Sequence, residues 1–192
     1  MTSKRIQITS DSVCDLPADV VSALNIKVIP TYVNIGDKSL PDDGVALIRE
    51  DFYRQLPSMS SQPTSAAPSP GNAELFYRQS LEDADHIISI HTPAKLSGVM
   101  NTMRLGAEAV DAKKITLVDS LQLSMGIGMQ VWVAAELAQG TDNVAEILAK
   151  IERIRQHTQV YAIIDTMEYL KRSGRVNSLI AGVGTFLKIK PI

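Results

Sequence analysis

Apolar and polar positions along the chain alternate between two periods. RIQIT at Arg5–Thr9 has the two-residue period of a strand. Pro17, followed by Val20, Val21 and Leu24, predicts a short helix opened by a proline in its first turn. Ile26–Ile35 is rich in β-branched residues and predicts a second strand. Apolar or aromatic residues at 48, 52, 53 and 56 predict a helix over Ile48–Leu56. Asn72–Leu81 reads as another helix, with Asn72 as its N-cap. HIISIH at His86–His91 is a compact apolar run of the kind buried in parallel sheets. A helix over Leu96–Val110 places Val99, Met103 and Ala107 on one face. Ile115–Val118 predicts a short buried strand, and Leu123–Gln139 a helix. Thr141 or Asp142 caps a further helix reaching about His157. QVYAII at Gln159–Ile164 predicts a strand, and Met167–Arg172 a helix closed by the left-handed C′ residue Gly174. No internal repeat is present.

Strands alternating with helices predict an α/β fold, a parallel sheet with helices on both faces. Residues 1–157 read as an N-terminal α/β domain and 158–192 as the beginning of a second one. FLKIKPI at 186–192 alternates like a half-buried strand up to the last residue. The expectation is therefore a truncated second domain, the chain being a fragment of something longer. Ligands of parallel sheets bind beyond the carboxyl ends of the strands. Those ends carry Ser10, Asp11 and Ser12; His91, Thr92 and the run Lys95-Leu96-Ser97-Gly98; and Asp119 with Ser120. Hydroxyls and carboxylates thus collect on one predicted rim.

Composition narrows the functional classes. The chain has 192 residues, 45% apolar and 21% charged, which suits a globular protein with a real core. A net charge of −2 gives no basic field for nucleic acid. One cysteine, Cys14, allows neither an internal disulfide nor a thiolate metal cluster. The opening MTSKRIQI is too short and polar for a signal peptide, and no apolar run approaches the ~18 residues of a membrane span. The expectation is a soluble protein of a reducing compartment, the bacterial cytoplasm.

Several chemistries lack their motifs. Neither GxGxxG after a strand nor GxxxxGK[ST] occurs, so the common phosphate cradles are missing. HExxH is absent and the histidines at 86, 91 and 157 are scattered, so no metal site is expected. GxSxG is absent too. Ser12, His91 and Asp119 could form a triad on the rim, an arrangement that many α/β proteins offer by chance.

MSSQPTSAAPSPG at 59–71 holds five hydroxyl side chains, three prolines and no charge. By composition alone it is an exposed linker or turn. Ser97 before a helix is equally an ordinary N-cap, and Asp11 and Ser12 are ordinary turn residues. Met100, Met103, Met125 and Met129 read first as core filler. Their thioethers would also suit a pliable wall for acyl chains. Tyr161, Ile163 and Leu170 could line the same tunnel.

ITSDSVCDLP at 8–17, PTSAAPSPG at 63–71, HTPAKLSG at 91–98, VDSLQLSMGIG at 118–128, DTMEYLKRSGRV at 165–176 and FLKIKPI follow one another in order. Together they resemble the DegV family across the whole chain. The resemblance implies a bacterial fatty-acid-binding protein that holds an acyl chain between two domains. It implies no catalysis by the chain itself and no cofactor beyond the bound long-chain fatty acid. The carboxyl group would be presented to a separate, ATP-using fatty acid kinase subunit, with transient membrane contact compatible with that role. By position, the carboxyl ligands are Ser65 and Ser97, with Thr64 one residue away and Gly98 at the helix start. Ser65 stands where the family more often has threonine, and Ala66-Ala67 where it has Ser-Gln. Asp11, Ser12 and His91 would shape the pocket or touch its contents. Arg175, in a GGR-like motif with Ser173 in place of the first glycine, would lie near the ligand's exit or the kinase. Lys171 and Arg172 otherwise complement a helix C-terminus. The competing expectation is an enzyme on the same rim, a hydrolase using Ser12 or Ser97 with His91, or a phosphotransferase.

Overall fold

Isoleucine on both faces of the central strands is what builds this molecule in layers. The computed structural model describes residues 5–163, 166 and 168–175. Strand β1 (Ile6–Asp11) is buried along its whole length. It lies between β2 (Lys27–Ile29) and β6 (His86–His91), and β7 (Ile115–Asp119) closes the far edge. All pairings in this sheet are parallel, in the order β2-β1-β6-β7. The predicted parallel sheet with helices on both faces is therefore what the chain forms.

Ile6, Ile8, Ile88 and Ile90 pack on one face against α5 (Met125–Ala138) and α6 (Val144–His157), through Ile127, Val131, Ile147 and Ile151. On the other face Ile87 and Ile115 meet α3 (Pro70–Ser80) and α4 (Val99–Val110), through Ala73, Tyr77, Val99 and Met103. Two glycines permit this closeness. A Cβ on Gly106 of α4 would lie 2.7 Å from the Ala73 Cβ, and one on Gly128 of α5 would lie 2.6 Å from the Cys14 carbonyl oxygen.

A second sheet is unexpected. β3 (Tyr32–Ile35), β4 (Lys38–Pro41) and β5 (Thr64–Ala66) form an antiparallel sheet ordered β4-β3-β5. The single strand predicted over Ile26–Ile35 is in fact β2 and β3, which belong to different sheets. Pro30, which lacks an N–H, falls between them. Gly36, at φ +57, makes the turn into β4. β5 lies inside the segment whose composition is that of a linker. Two helices precede α3: α1 (Ala18–Ala23) and α2 (Arg49–Gln55).

Other boundaries shift for local reasons. Ser69, not Asn72, caps α3: its Oγ accepts from the Asn72 backbone N–H at 3.1 Å, with Pro70 in the first turn. Asn143, not Thr141 or Asp142, caps α6 by accepting from the Glu146 N–H at 3.3 Å. Residues 159–163 form no strand. Tyr161 is 75% exposed and Ile163 87% exposed, and among the described residues no strand pairs with them. Ile164, Met167 and FLKIKPI lie outside the described residues. α7 (Glu168–Arg172) is followed by Gly174 at φ +71, the left-handed residue its sequence predicts.

Candidate functional site

β5 sets Ser65 opposite Val33 and Thr64 opposite Asn34, and leaves both hydroxyl residues exposed. The chain then runs through Ala67 and buried Pro68 into the Ser69 cap. Tyr32, opposite Ala66, spans this loop from outside: its hydroxyl accepts from Asn72 Nδ2 at 3.0 Å. The loop is thus fixed at its strand, at its proline and at its helix cap.

The second loop leaves β6 at His91. Thr92 and Pro93 are buried, and the Pro93 carbonyl accepts from the N–H groups of Leu96 (2.9 Å) and Ser97 (3.1 Å). This turn half-buries Ser97, whose Oγ accepts from the Val99 N–H at 3.3 Å. Gly98 is the exposed N-cap residue of α4. The first-turn N–H groups of a helix favour an anion. A Cβ on Gly98 would sit 3.9 Å from the Ala67 Cβ, so the two hydroxyl loops abut. Their meeting place is on the rim that the sequence predicts.

The last residue of α7 and the segment after it touch both loops. Arg175 Nε donates to the Leu96 carbonyl at 3.2 Å, and Arg172 Nη1 donates to Gln62 Oε1 at 2.8 Å. Lys171 is exposed. Met103 is fully buried in the core, Met100 is half-buried, and Met125 and Met129 remain 36% and 39% exposed.

Asp11 and His91 lie beneath the rim rather than on it. Asp11 Oδ2 accepts from His91 Nδ1 at 3.0 Å and from the Thr92 N–H at 2.9 Å. Asp11 Oδ1 accepts from Thr92 Oγ1 at 2.8 Å and from the Val13 N–H at 3.1 Å. Burial by itself would raise the Asp11 carboxyl. The hydrogen bond and charge of His91, with the Thr92 donors, outweigh it and hold the group below the usual carboxylate range. His91 Nε2 meets Ser89 Oγ at 2.6 Å, and Ser89 in turn meets Thr9 Oγ1 at 2.6 Å and the Tyr77 hydroxyl at 2.8 Å. Asp11, His91 and Ser89 are all 0% exposed.

The trio of Ser12, His91 and Asp119 that the sequence permits is therefore not assembled. Ser12 Oγ is engaged with Thr31 Oγ1 at 2.9 Å, accepts from the Thr31 N–H at 3.1 Å and donates to Asp42 Oδ2 at 3.4 Å. Asp119 accepts from the Ala94 N–H at 3.2 Å and the Leu121 N–H at 3.0 Å. His91 is sealed in the core, so neither Ser12 nor Ser97 has it as a base.

Sequence reading missed Asp42, Arg49 and Tyr32. Arg49 forks onto Asp42, Nε to Oδ1 at 3.0 Å and Nη2 to Oδ2 at 3.3 Å, and reaches Asp15 Oδ1 at 3.5 Å. Only the pairing of β3 with β4 brings Asp42 to Thr31, and local sequence carries no sign of it. Among the described residues no cluster of His, Cys, Asp and Glu is disposed to hold a metal ion. Nor is any helix there long and apolar enough to cross a membrane.

The family model described as "Uncharacterised protein, DegV family" matches residues 5–192. The chain belongs to the DegV family. A DegV domain-containing protein of Deinococcus radiodurans is 32% identical over 187 residues, 97% of this chain and 66% of the relative. One from Listeria monocytogenes is 34% identical over 191 residues, 99% of this chain and 67% of the relative. The chain thus spans about two thirds of the length of these relatives. Among solved structures, a Thermus thermophilus DegV family protein described by its fatty acid binding superposes with a TM-score of 0.84 at 34% identity. It covers 96% of this chain and 65% of that one. DegV of Bacillus subtilis, described as a fatty acid binding protein, gives 0.86 at 26% identity, covering 98% and 67%.

Proposed function

We propose that this chain is a fatty-acid-binding carrier, with the carboxyl group held by Ser65 and Ser97, aided by Thr64 and the α4 N-terminus at Gly98. The observation that carries the reading is the contact of the two hydroxyl loops at Ala67 and Gly98, in a chain that superposes on DegV proteins described as binding fatty acids. Burying ~14 methylenes at ~0.8 kcal/mol each supplies roughly 11 kcal/mol gross, less several for association and ordering. The head group must then find donors, or its desolvation cancels much of the gain. Hydroxyls and helix N–H groups supply them without a buried cation. Neutral donors also suit a head that changes from carboxylate to acyl phosphate while bound.

In this reading residues 1–157 are the head-group domain and 158–192 open a second domain that covers the acyl tail. The phosphoryl chemistry belongs to a separate kinase subunit, and Arg175, beside Leu96, faces the ligand's exit or that partner. The engagement of His91 with Asp11 and Ser89 removes support from a serine hydrolase on this rim. Mass spectrometry of the organic extract of the purified protein tests the proposal. A long-chain fatty acid bound at about one per chain is expected. Protein that carries none, and takes up none when offered, refutes it.

A further inference from the structure

Two residues adjacent in sequence hold two loops that are remote from each other in sequence. The Asp11 carboxylate takes His91 Nδ1, the Thr92 N–H and Thr92 Oγ1. These are the first residues of the loop that ends at Ser97. The Ser12 hydroxyl takes the Thr31 N–H, meets Thr31 Oγ1 and reaches Asp42. Thr31 and Asp42 are the root of the antiparallel sheet. One immediately precedes β3, the other immediately follows β4, and the Asp42 N–H donates to the Thr31 carbonyl at 2.8 Å. β3 then carries β5, and with it Ser65, in fixed register.

On their strand sides the loops spring from different sheets, β5 in one and β6 in the other. Their tips abut at Ala67 and Gly98, and the helices they lead into, α3 and α4, pack together. Asp11 and Ser12 are one peptide apart, with Cα atoms ~3.8 Å from each other. Both are buried, and Asp11 ends the fully buried strand β1. Their side chains are a common origin from which both loops are measured. Resting on the proposed carboxyl site, we infer that Asp11 and Ser12 are positioning residues that set the spacing of Ser97 and Ser65, Asp11 through Thr92 and Ser12 through Thr31. Neither touches ligand. A head group of fixed size needs its two donors held to a fraction of an ångström, and loops alone do not supply that.

The test uses binding of radiolabelled palmitate and of methyl palmitate, which has the same tail and no carboxylate. The readout is the dissociation constant of methyl palmitate divided by that of palmitate, a measure of head-group recognition that loss of general stability does not move. Ser65→Ala and Ser97→Ala should each lower this ratio about fivefold to tenfold, one hydrogen bond's worth. Ser12→Ala should lower it about threefold to tenfold in the parent protein and leave it unchanged in the Ser65→Ala background. Against Ser97→Ala its effect should persist. Asp11→Asn should show the reverse pattern, silent in Ser97→Ala and active in Ser65→Ala. Where Asp11→Asn fails to fold, Thr92→Val replaces it, removing one donor from the same carboxylate. Ser12→Thr, which keeps the hydroxyl, should restore the ratio to within about twofold. The inference falls if the effects add in every background, or if ester and acid lose affinity equally. If Ser65→Ala and Ser97→Ala themselves leave the ratio unchanged, the carboxyl site is misassigned and the inference falls with it.

Discussion

His91 stands between two partners, its Nδ1 3.0 Å from Asp11 Oδ2 and its Nε2 2.6 Å from Ser89 Oγ, with all three residues out of reach of solvent. The line-up has the outline of a catalytic triad and the placement of a core strut. Removing one partner leaves the other's charge or polar atoms uncompensated in the core, which costs about 3–5 kcal/mol in buried pairs. Asp11→Asn should lower the unfolding free energy by about that amount, read from urea midpoints.

The same carboxylate governs acid stability. Its folded pKa lies below the ordinary value, so its contribution is fully present above the unfolded pKa of about 3.9. That contribution is lost as pH falls through the depressed folded value. Urea midpoints measured from pH 7 downward should fall steeply below about pH 4. In Asp11→Asn the fall should be shallower; an equal fall would assign the acid transition to other groups.

Tyr77 shows the opposite sign. Burial raises its phenol well above the ordinary value, with the Ser89 hydrogen bond acting against the shift. Folding therefore favours the neutral phenol, and stability contributed by Tyr77 is lost as pH rises above the unfolded pKa of about 10. Ultraviolet titration should reveal a tyrosine that ionises only as the protein unfolds, and Tyr77→Phe should remove that late component. The substitution also removes one of three partners of Ser89, which keeps His91 and Thr9, at about 0.5–1.5 kcal/mol.

Gly106 and Gly98 should respond differently to the same change. A methyl group on Gly106 meets Ala73 and its backbone at 2.7 and 2.8 Å, so Gly106→Ala must push α3 and α4 apart. The expected cost is about 1–3 kcal/mol by thermal unfolding. A methyl on Gly98 finds only Ala67, at ordinary contact distance. Gly98→Ala should change stability by less than about 0.5 kcal/mol.

Cys14 should be inert. Burial raises its thiol pKa, with backbone and Ser10 hydrogen bonds opposing, so little reactive thiolate forms. Ellman's reagent should label it only after denaturant is added. Rapid labelling of the folded protein would contradict its buried placement.

The parallel sheet was legible because its strands are short apolar runs separated by helices of strong period. HIISIH coincides with β6 end to end. The antiparallel sheet was not legible. Lys38–Pro41 and Thr64–Ala66 are short, largely polar and stabilised by pairing with β3 rather than by burial. QVYAII misled for the converse reason: its residues favour strands, yet the described part of it has no strand beside it. The hydroxyl loops drew notice through their order among family-like motifs. Composition by itself would have left MSSQPTSAAPSPG an exposed turn. Ser12 looked like a rim nucleophile because sequence shows which strand a residue follows but not what packs over it. Thr31 and Asp42, which occupy it, arrive from a sheet that local pattern does not announce.

The central claim is that Ser65 and Ser97 hold a fatty acid by its carboxyl group. The most direct measurement is equilibrium binding of palmitate to the parent protein and to the Ser65→Ala, Ser97→Ala double variant, with thermal unfolding as a check that both are folded. The account predicts tight binding by the parent and a loss of about 2–3 kcal/mol in the folded double variant, two hydrogen bonds at about 1–1.5 kcal/mol each. Equal affinity in the two folded proteins would contradict it.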